Sequence, residues 1–249
     1  MGTEPFQNAV LDLLWLLDRG YPKNASVQIT GDRYRLSREE RGILFRGVVA
    51  TTTARRRKAK LATMEEWGGS GTLRVDLYNV ALILFNYRRG RPVFVSTDGY
   101  TRDVGGVHGA VRQEALFQEV LESLVRVLKE VIGGGDGEDR TAETDGRTNG
   151  AEVIFYLDAP VSRSREHAAL LEKYGRGTGM VCSTECVRSA DHAMLSAGGS
   201  GTAYICSGDS HVIDRSPVPV IDLARYALDR LFTPRIPDLQ SLLPGLPPL

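Results

Sequence analysis

The chain has 249 residues, 42% hydrophobic and 25% charged, proportions that exclude a disordered or fibrous protein and allow a sizeable buried core. Lys/Arg and Asp/Glu balance at 31 each, so bulk electrostatics exclude no partner and name none. The charge is unevenly placed, however: residues 1–60 carry twelve Lys/Arg against six Asp/Glu, and the remainder nineteen against twenty-five, which suggests two modules with different tasks.

In chain order, Phe6, Val10, Leu13, Leu14 and Leu17 recur at helical spacing, and the helix stops at Arg19-Gly20-Tyr21-Pro22. Ser26 to Thr30 reads as a short extended piece running into a turn at Gly31-Asp32. Ser37 and Glu40 have capping-box spacing for a second helix carrying Ile43, Leu44 and Val48. Thr51-Thr52-Thr53 leads into the basic run Arg55 to Lys60, read as a connector, and Gly68-Gly69-Ser70-Gly71 marks a boundary. Beyond it strands and helices alternate. Strands are expected at Thr72–Asp76, Pro92–Ser96, Val153–Leu157, Met180–Cys182, Ala203–Ser207 and Val218–Ile221. Helices are expected at Val80–Tyr87, Glu114–Ile132, Ser164–Tyr174, Ala190–Ser196 and Ile221–Leu231. Residues 133–150 are rich in Gly, Asp, Glu and Thr and read as a disordered loop.

Apolar strands alternating with helices indicate a mostly parallel sheet covered on both faces. The expected fold class is therefore α/β. A small, basic, mainly helical module with its connector (1–67) precedes a Rossmann-like three-layer domain (72–231), and a Pro-rich tail (232–249) follows. The longest apolar run, Val80 to Phe85, is too short to span a bilayer. Three cysteines, an odd count with no signal-peptide pattern ahead of them, argue for a reducing compartment; a cytoplasmic protein with no membrane partner is the expectation.

Three expected strands end in an aspartate: Asp76, Asp158 and Asp209. A fourth, Asp191, starts a helix after a strand. In an open α/β sheet the carboxyl ends of the strands form one edge, where ligands bind. Carboxylates converging there repel one another and take up protons. A hard divalent cation such as Mg²⁺ or Mn²⁺ removes that conflict, polarises water and stabilises a leaving oxygen in phosphodiester hydrolysis. The plainer alternative is that each aspartate caps the helix after its strand.

The segments Val75-Asp76-Leu77-Tyr78-Asn79-Val80, Ser189 to Leu195 around Asp191, and Ala203 to Ser210 ending in Ser207-Gly208-Asp209-Ser210 resemble three motifs of PIN/NYN-like nucleases. The resemblance covers roughly Leu73 to Leu231 and implies a PIN/NYN-like fold with Asp76, Asp191 and Asp209 among the four aspartates expected to hold Mg²⁺ or Mn²⁺. Asn79, Ser207 and Ser210 would support them. Arg19-Gly20-Tyr21-Pro22 and Asp98-Gly99-Tyr100-Thr101-Arg102-Asp103 are similar to signatures of an uncharacterised prokaryotic family, which supports the two-part architecture and implies no activity.

Asp98, Arg102 and Asp103 follow the second expected strand on the same sheet edge. Asp98 is read either as a further metal ligand or as an Asp-Gly turn paired with Arg102; Arg102 is read as a phosphate clamp and Asp103 as a supporting group. Arg55, Arg56, Arg57, Lys58 and Lys60 are expected to contact nucleic-acid phosphates, unless they form a solvated linker. Tyr21 and Tyr34 are candidates for base stacking, and Trp15, on a helix of leucines, reads as core. Cys182, Cys186, Cys206, His192 and His211 lack a zinc-knuckle spacing and read as buried thiols in strands and an exposed helix-start histidine. The functional expectation is a divalent-metal-dependent nuclease acting on RNA in preference to DNA. The alternative is a nuclease-like fold that binds nucleic acid and regulates without catalysis. Oligomeric state is left open.

Overall fold

A computed structural model describes residues 3–105, 113–133, 151–176, 181–197 and 202–243. The expected loop 133–150 falls almost wholly outside them, as does Met180. The chain opens with helices α1 (Glu4–Asp18), α2 (Lys23–Arg33), α3 (Arg38–Gly47) and α4 (Thr51–Lys58), then β1 (Leu61–Ala62) and α5 (Met64–Trp67). It continues through β2 (Thr72–Asp76), α6 (Leu77–Arg88), β3 (Val93–Val95), β4 (Thr101–Asp103) and α7 (Glu114–Ile132). The last part holds β5 (Glu152–Asp158), α8 (Ser164–Gly175), β6 (Val181–Val187), α9 (Ala190–Ser196), β7 (Ala203–Cys206), α10 (Ser210–Arg215), β8 (Val220–Ile221), α11 (Leu223–Phe232) and a 3-10 turn at Leu239–Leu242.

These elements form two compact units. The first is discontinuous: Met1–Leu61, Asn86–Gly106 and Pro234–Leu249. The second comprises Ala62–Phe85 and Val107–Thr233. The linear boundary expected at Gly68–Gly71 therefore misses two insertions into the first unit. Packing explains both, because Phe94 of β3 and Leu239 and Leu243 of the tail share one buried cluster with Phe6, Leu13 and Leu44.

Within the first unit the capping box at the start of α3 is present, with Ser37 Oγ accepting from the Glu40 amide at 3.2 Å and Glu40 Oε2 accepting from the Ser37 amide at 2.8 Å. Two expectations are corrected here. Ser26 to Thr30 and the Gly31-Asp32 turn are not extended but lie inside α2, whose Val27, Thr30 and Gly31 face is buried. The supposed connector is helix α4, because Asp18 caps it from outside: the Thr51 amide and hydroxyl donate to the Asp18 carboxylate at 2.6 and 2.8 Å. A cap satisfies orphan donors of the first turn and offsets the poor helix propensity of three threonines.

The second unit carries a mostly parallel sheet flanked by helices. The six-stranded order is β1-β8-β7-β2-β5-β6. β2 pairs in parallel with β5 and with β7, and β5 with β6. β2 is central and its Leu73, Val75 and Asp76 are buried. Helix α7 buries Phe117, Val120, Leu121, Leu124, Val125, Val127 and Leu128, each worth at most about 1.5–3 kcal/mol. Strand β6 is longer and more polar than expected, since register with all of Glu152–Asp158 holds it at the sheet edge. Among the described residues no helix is long and apolar enough to cross a membrane.

Gly71 feeds the central strand in a left-handed conformation (φ +75°), and a Cβ there would lie 2.3 Å from the Thr202 carbonyl oxygen. Backbone offers little room to move, so Gly71→Ala is expected to cost about 2–4 kcal/mol and lower Tm by several degrees, measurable by thermal unfolding. An unchanged Tm would mean that the approach of Thr202 to Gly71 is not rigid.

Candidate active site at the carboxyl edge of the sheet

From central β2 the chain builds outward through β5 and β6, then returns to the other side of β2 with β7 and β8. The strand order reverses between β2 and β7, and such a switch point leaves a crevice outside the strand ends. Asp76 is the last residue of β2 and fully buried. Ser207, just past β7, donates from Oγ to Asp76 Oδ2 at 2.9 Å across that switch. Asn79 Nδ2 donates to the same oxygen at 2.6 Å. The Asp209 amide in turn donates to Ser207 Oγ at 3.0 Å, so a hydrogen-bonded chain ties the ends of β2 and β7 together.

The other carboxylates are held by different local contacts. Asp158 ends β5, and one of its oxygens accepts from the Ala190 amide at 2.8 Å, fastening the start of α9. Ser189 caps that helix and places Asp191 in its first turn. Asp209 caps α10, accepting from the His211 amide at 2.6 Å and the Val212 amide at 3.4 Å. The helix-cap reading therefore holds as local geometry for Asp209, and Asp76 also accepts from the Asn79 amide in the first turn of α6 at 3.4 Å.

Electrostatics join the four groups. Burial pushes the Asp76 carboxyl up to about 7; the Asn79 hydrogen bond opposes that, the Asp191 charge adds to it, and Ser207 opposes again. Asp191 is also raised, first by burial and then by the charges of Asp209 and Asp158, with His211 opposing. The donor set is thus hard oxygen carrying more negative charge than its surroundings compensate, which suits Mg²⁺ or Mn²⁺. As placed, no group of three His, Cys, Asp or Glu among the described residues is gathered closely enough to hold a metal.

Asn79 and Ser207 touch Asp76, and Ser210 begins α10. Asp98, Arg102 and Asp103 do not share this edge. β3 and β4 form a separate antiparallel hairpin in the first unit. There Asp98 is engaged by Arg57 at 2.9 Å and by Arg102 at 2.5 and 3.0 Å, and Asp103 accepts from Asn86. Arg57 is consequently buried, not displayed for nucleic acid, whereas Arg55 and Arg56 are exposed on α4 and Lys58 and Lys60 are half-exposed. Trp15 is 52% exposed, contrary to the core reading, with the Arg19 guanidinium 3.6 Å from its ring. Tyr34 donates to Asp12 at 2.7 Å. The three cysteines are free; only Cys206 is buried, while Cys182 is half-buried and Cys186 exposed.

Two polar features escaped the sequence reading. Arg74 is buried in β2, two residues before Asp76 and on the same face, with Nη1 donating to the Met194 carbonyl at 3.4 Å. Fully buried His167 bridges the Tyr78 hydroxyl and Glu114, both at 3.0 Å. A charged residue inside an apolar strand was a visible signal for Arg74. Nothing local marks His167, whose partners come from other helices.

Residues 67–132 and 140–226 match the family model described as Domain of unknown function (DUF5616), and residues 5–60 match the one described as Protein of unknown function (DUF434). The chain is also similar to "Uncharacterized protein MJ0935" of Methanocaldococcus jannaschii, at 23% identity over 226 residues covering 90% of this chain and 97% of that one. No solved structure matches.

Proposed function

We propose that this chain, which belongs to the family described as Domain of unknown function (DUF5616), is a divalent-metal-dependent nuclease of PIN/NYN-like type that hydrolyses phosphodiester bonds in RNA in preference to DNA. The observation that carries the reading is fully buried Asp76 at the switch point, tied through Ser207 to the Asp209 backbone, with Asp158 fastening the start of the helix that carries Asp191. A buried carboxylate held next to other carboxylates costs stability, and function is the usual reason such a cost persists. The likeness of the Asp76, Asp191 and Asp209 segments to PIN/NYN motifs supports the same reading. The four aspartates would hold Mg²⁺ or Mn²⁺, which when bound supplies Lewis acidity to a phosphodiester oxygen. Asn79 and Ser207 fix the Asp76 carboxylate in one rotamer, and Asp209 is held by the amides of α10. Arg55 and Arg56, exposed on α4, would contact nucleic-acid phosphates.

The deciding experiment is cleavage of labelled single-stranded RNA with Mn²⁺, Mg²⁺ or EDTA, beside the Asp76→Asn/Asp209→Asn protein. Metal-dependent cleavage lost in the variant is expected. Cleavage that survives both substitutions would sink the assignment. A second reading, a nucleic-acid-binding regulator without catalysis, is favoured by one observation: Asp158 and Asp209 each spend an oxygen on a backbone amide. Salt-sensitive RNA binding without turnover in any metal would establish it.

A further inference from the structure

Strand β6 ends the six-stranded sheet, and among the described residues only β5 pairs with it. Proteins commonly protect such an edge with lysine, proline, a bulge or a very short strand. β6 has none of these. It runs seven residues, Val181-Cys182-Ser183-Thr184-Glu185-Cys186-Val187, in unbroken register with Glu152–Asp158, and Glu185 is its one charged residue. The ladder fixes which backbone groups face outward. The Val187 carbonyl accepts from the Ala159 amide, just past β5, at 2.7 Å, so Val187 and every second residue before it turn their backbone groups toward β5. Cys182, Thr184 and Cys186 therefore turn theirs to the open edge. The side chains of these three share the face under α8: Thr184 Oγ1 donates to Glu172 Oε1 at 2.6 Å, and the Cys182 and Cys186 thiols lie 3.9 and 3.8 Å from the Leu171 and Ser164 carbonyl oxygens.

We propose that the open edge of β6 pairs antiparallel with β6 of a second copy of this chain, about a two-fold axis at Thr184, joining two sheets into one. A two-fold contact requires a surface complementary to itself. β6 meets that requirement along its length. Antiparallel about Thr184, Val181 faces the partner's Val187, Cys182 faces the partner's Cys186, Ser183 faces the partner's Glu185 and Thr184 faces the partner's Thr184. The hydrogen-bonded pairs of this register, 182 with 186 and 184 with 184, are those whose backbone groups already face the edge, so about six interchain hydrogen bonds form without shifting β6. Val181, 55% exposed, gains an apolar neighbour in the partner's Val187. The covering helix is self-complementary too. α8 runs opposite to β6, with Ser164 beside Cys186 and Leu171 beside Cys182, so the axis through Thr184 crosses α8 near Ala168. Arg165, Ala169 and Glu172 are exposed on one helix face, at i, i+4 and i+7 and on either side of that axis. Arg165 of each copy thus comes opposite the partner's Glu172, with small Ala169 between them. The pairing points the strand ends of the two copies in opposite directions, so neither completes the other's aspartate edge and the inference stands apart from the nuclease reading.

The test is sedimentation velocity of the full chain across a concentration series, beside amide hydrogen exchange at each concentration. A species of twice the chain mass is expected, with exchange at Cys182, Thr184 and Cys186 slowing as it forms. Thr184→Pro should weaken dimerisation about a hundredfold or more, because it removes the outward amide at the axis from both copies. That amide is not used by β5, so the variant chain should keep its circular dichroism spectrum. Arg165→Glu, on the exposed helix face, should weaken dimerisation roughly tenfold by setting like charges opposite each other twice. Arg165→Glu/Glu172→Arg should recover most of that loss, which damage to a single chain would not do. A monomer at every concentration overturns the proposal and leaves the edge to water or to a strand of another protein. So does a dimer indifferent to Thr184→Pro and Arg165→Glu, or one whose β6 amides exchange as fast as the monomer's, since its interface lies elsewhere.

Discussion

Asp76→Asn is expected to abolish metal-dependent RNA cleavage while leaving the metal-free protein at least as stable at pH 8. The two effects have one origin. In the native state burial and the Asp191 charge raise the Asp76 carboxyl from 3.8 to about 7, against the hydrogen bonds of Asn79 and Ser207. A carboxyl whose folded pKa is raised binds its proton more tightly when folded than unfolded. Stability is therefore highest below the unfolded value and falls as pH rises from about 4 to about 7, where it levels off. Ionised Asp76 costs about 4 kcal/mol by that linkage, and asparagine removes the ionisation while keeping an acceptor for Ser207. Cleavage should fall by roughly three powers of ten or more, because several kcal/mol of transition-state stabilisation depend on a bound cation. Thermal unfolding of wild type and Asp76→Asn in EDTA from pH 4 to pH 8, beside cleavage at pH 8, checks both. If Asp76→Asn is markedly less stable at pH 8, Asp76 is structural and the nuclease proposal loses its main support.

The opposite result is expected for Asp98→Ala. Its carboxylate is buried too, and burial alone would raise it, but the charge and hydrogen bonds of Arg102, with Ser96 and Arg57, hold it well below the usual carboxylate range. Removing it leaves two arginines buried without their shared partner, which costs about 3–5 kcal/mol. A depressed carboxyl contributes stability that is present above the unfolded value and lost as pH falls through the folded one, so the first unit should weaken only in strong acid. Urea unfolding at pH 7 followed by circular dichroism, beside wild type, measures the loss. A loss under 1 kcal/mol would show that the arginines find water or another acceptor. Arg57→Gln should cost less than Asp98→Ala, because Arg102 still satisfies the carboxylate.

Together the two aspartates show why the strand-end pattern could not be read uniformly. Asp76 and Asp98 each come after an apolar strand in the sequence, and metal ligation is open to both, with an Asp-Gly turn paired to Arg102 as the alternative for Asp98. Only the sheet to which each strand belongs, and the arginines arriving from 41 residues upstream and four downstream, separate them.

Short-range chemistry by itself determined much of the second unit and one helix start of the first. The apolar run of β2, the stripe of α7, the start of α9 and the Ser37–Glu40 box are properties of neighbouring residues, and periodicity and caps act over one or two turns. The candidate aspartates were legible for the same reason, since a parallel strand delivers its last residue to a known edge. Tertiary structure alone decided the rest. Asp18 caps α4 across 33 residues, turning a threonine-led connector into a helix. Edge pairing with β5 holds β6 over seven residues despite its polar sequence, because hydrogen bonds, not burial, maintain it. Phe94 and Leu239 join the first unit's core because hydrophobic burial is indifferent to chain order. Charge compensation works in the same way through space, so the Arg57–Asp98 pair was invisible until the chain was folded, whereas the local Asp98–Arg102 pair was open to a sequence reading.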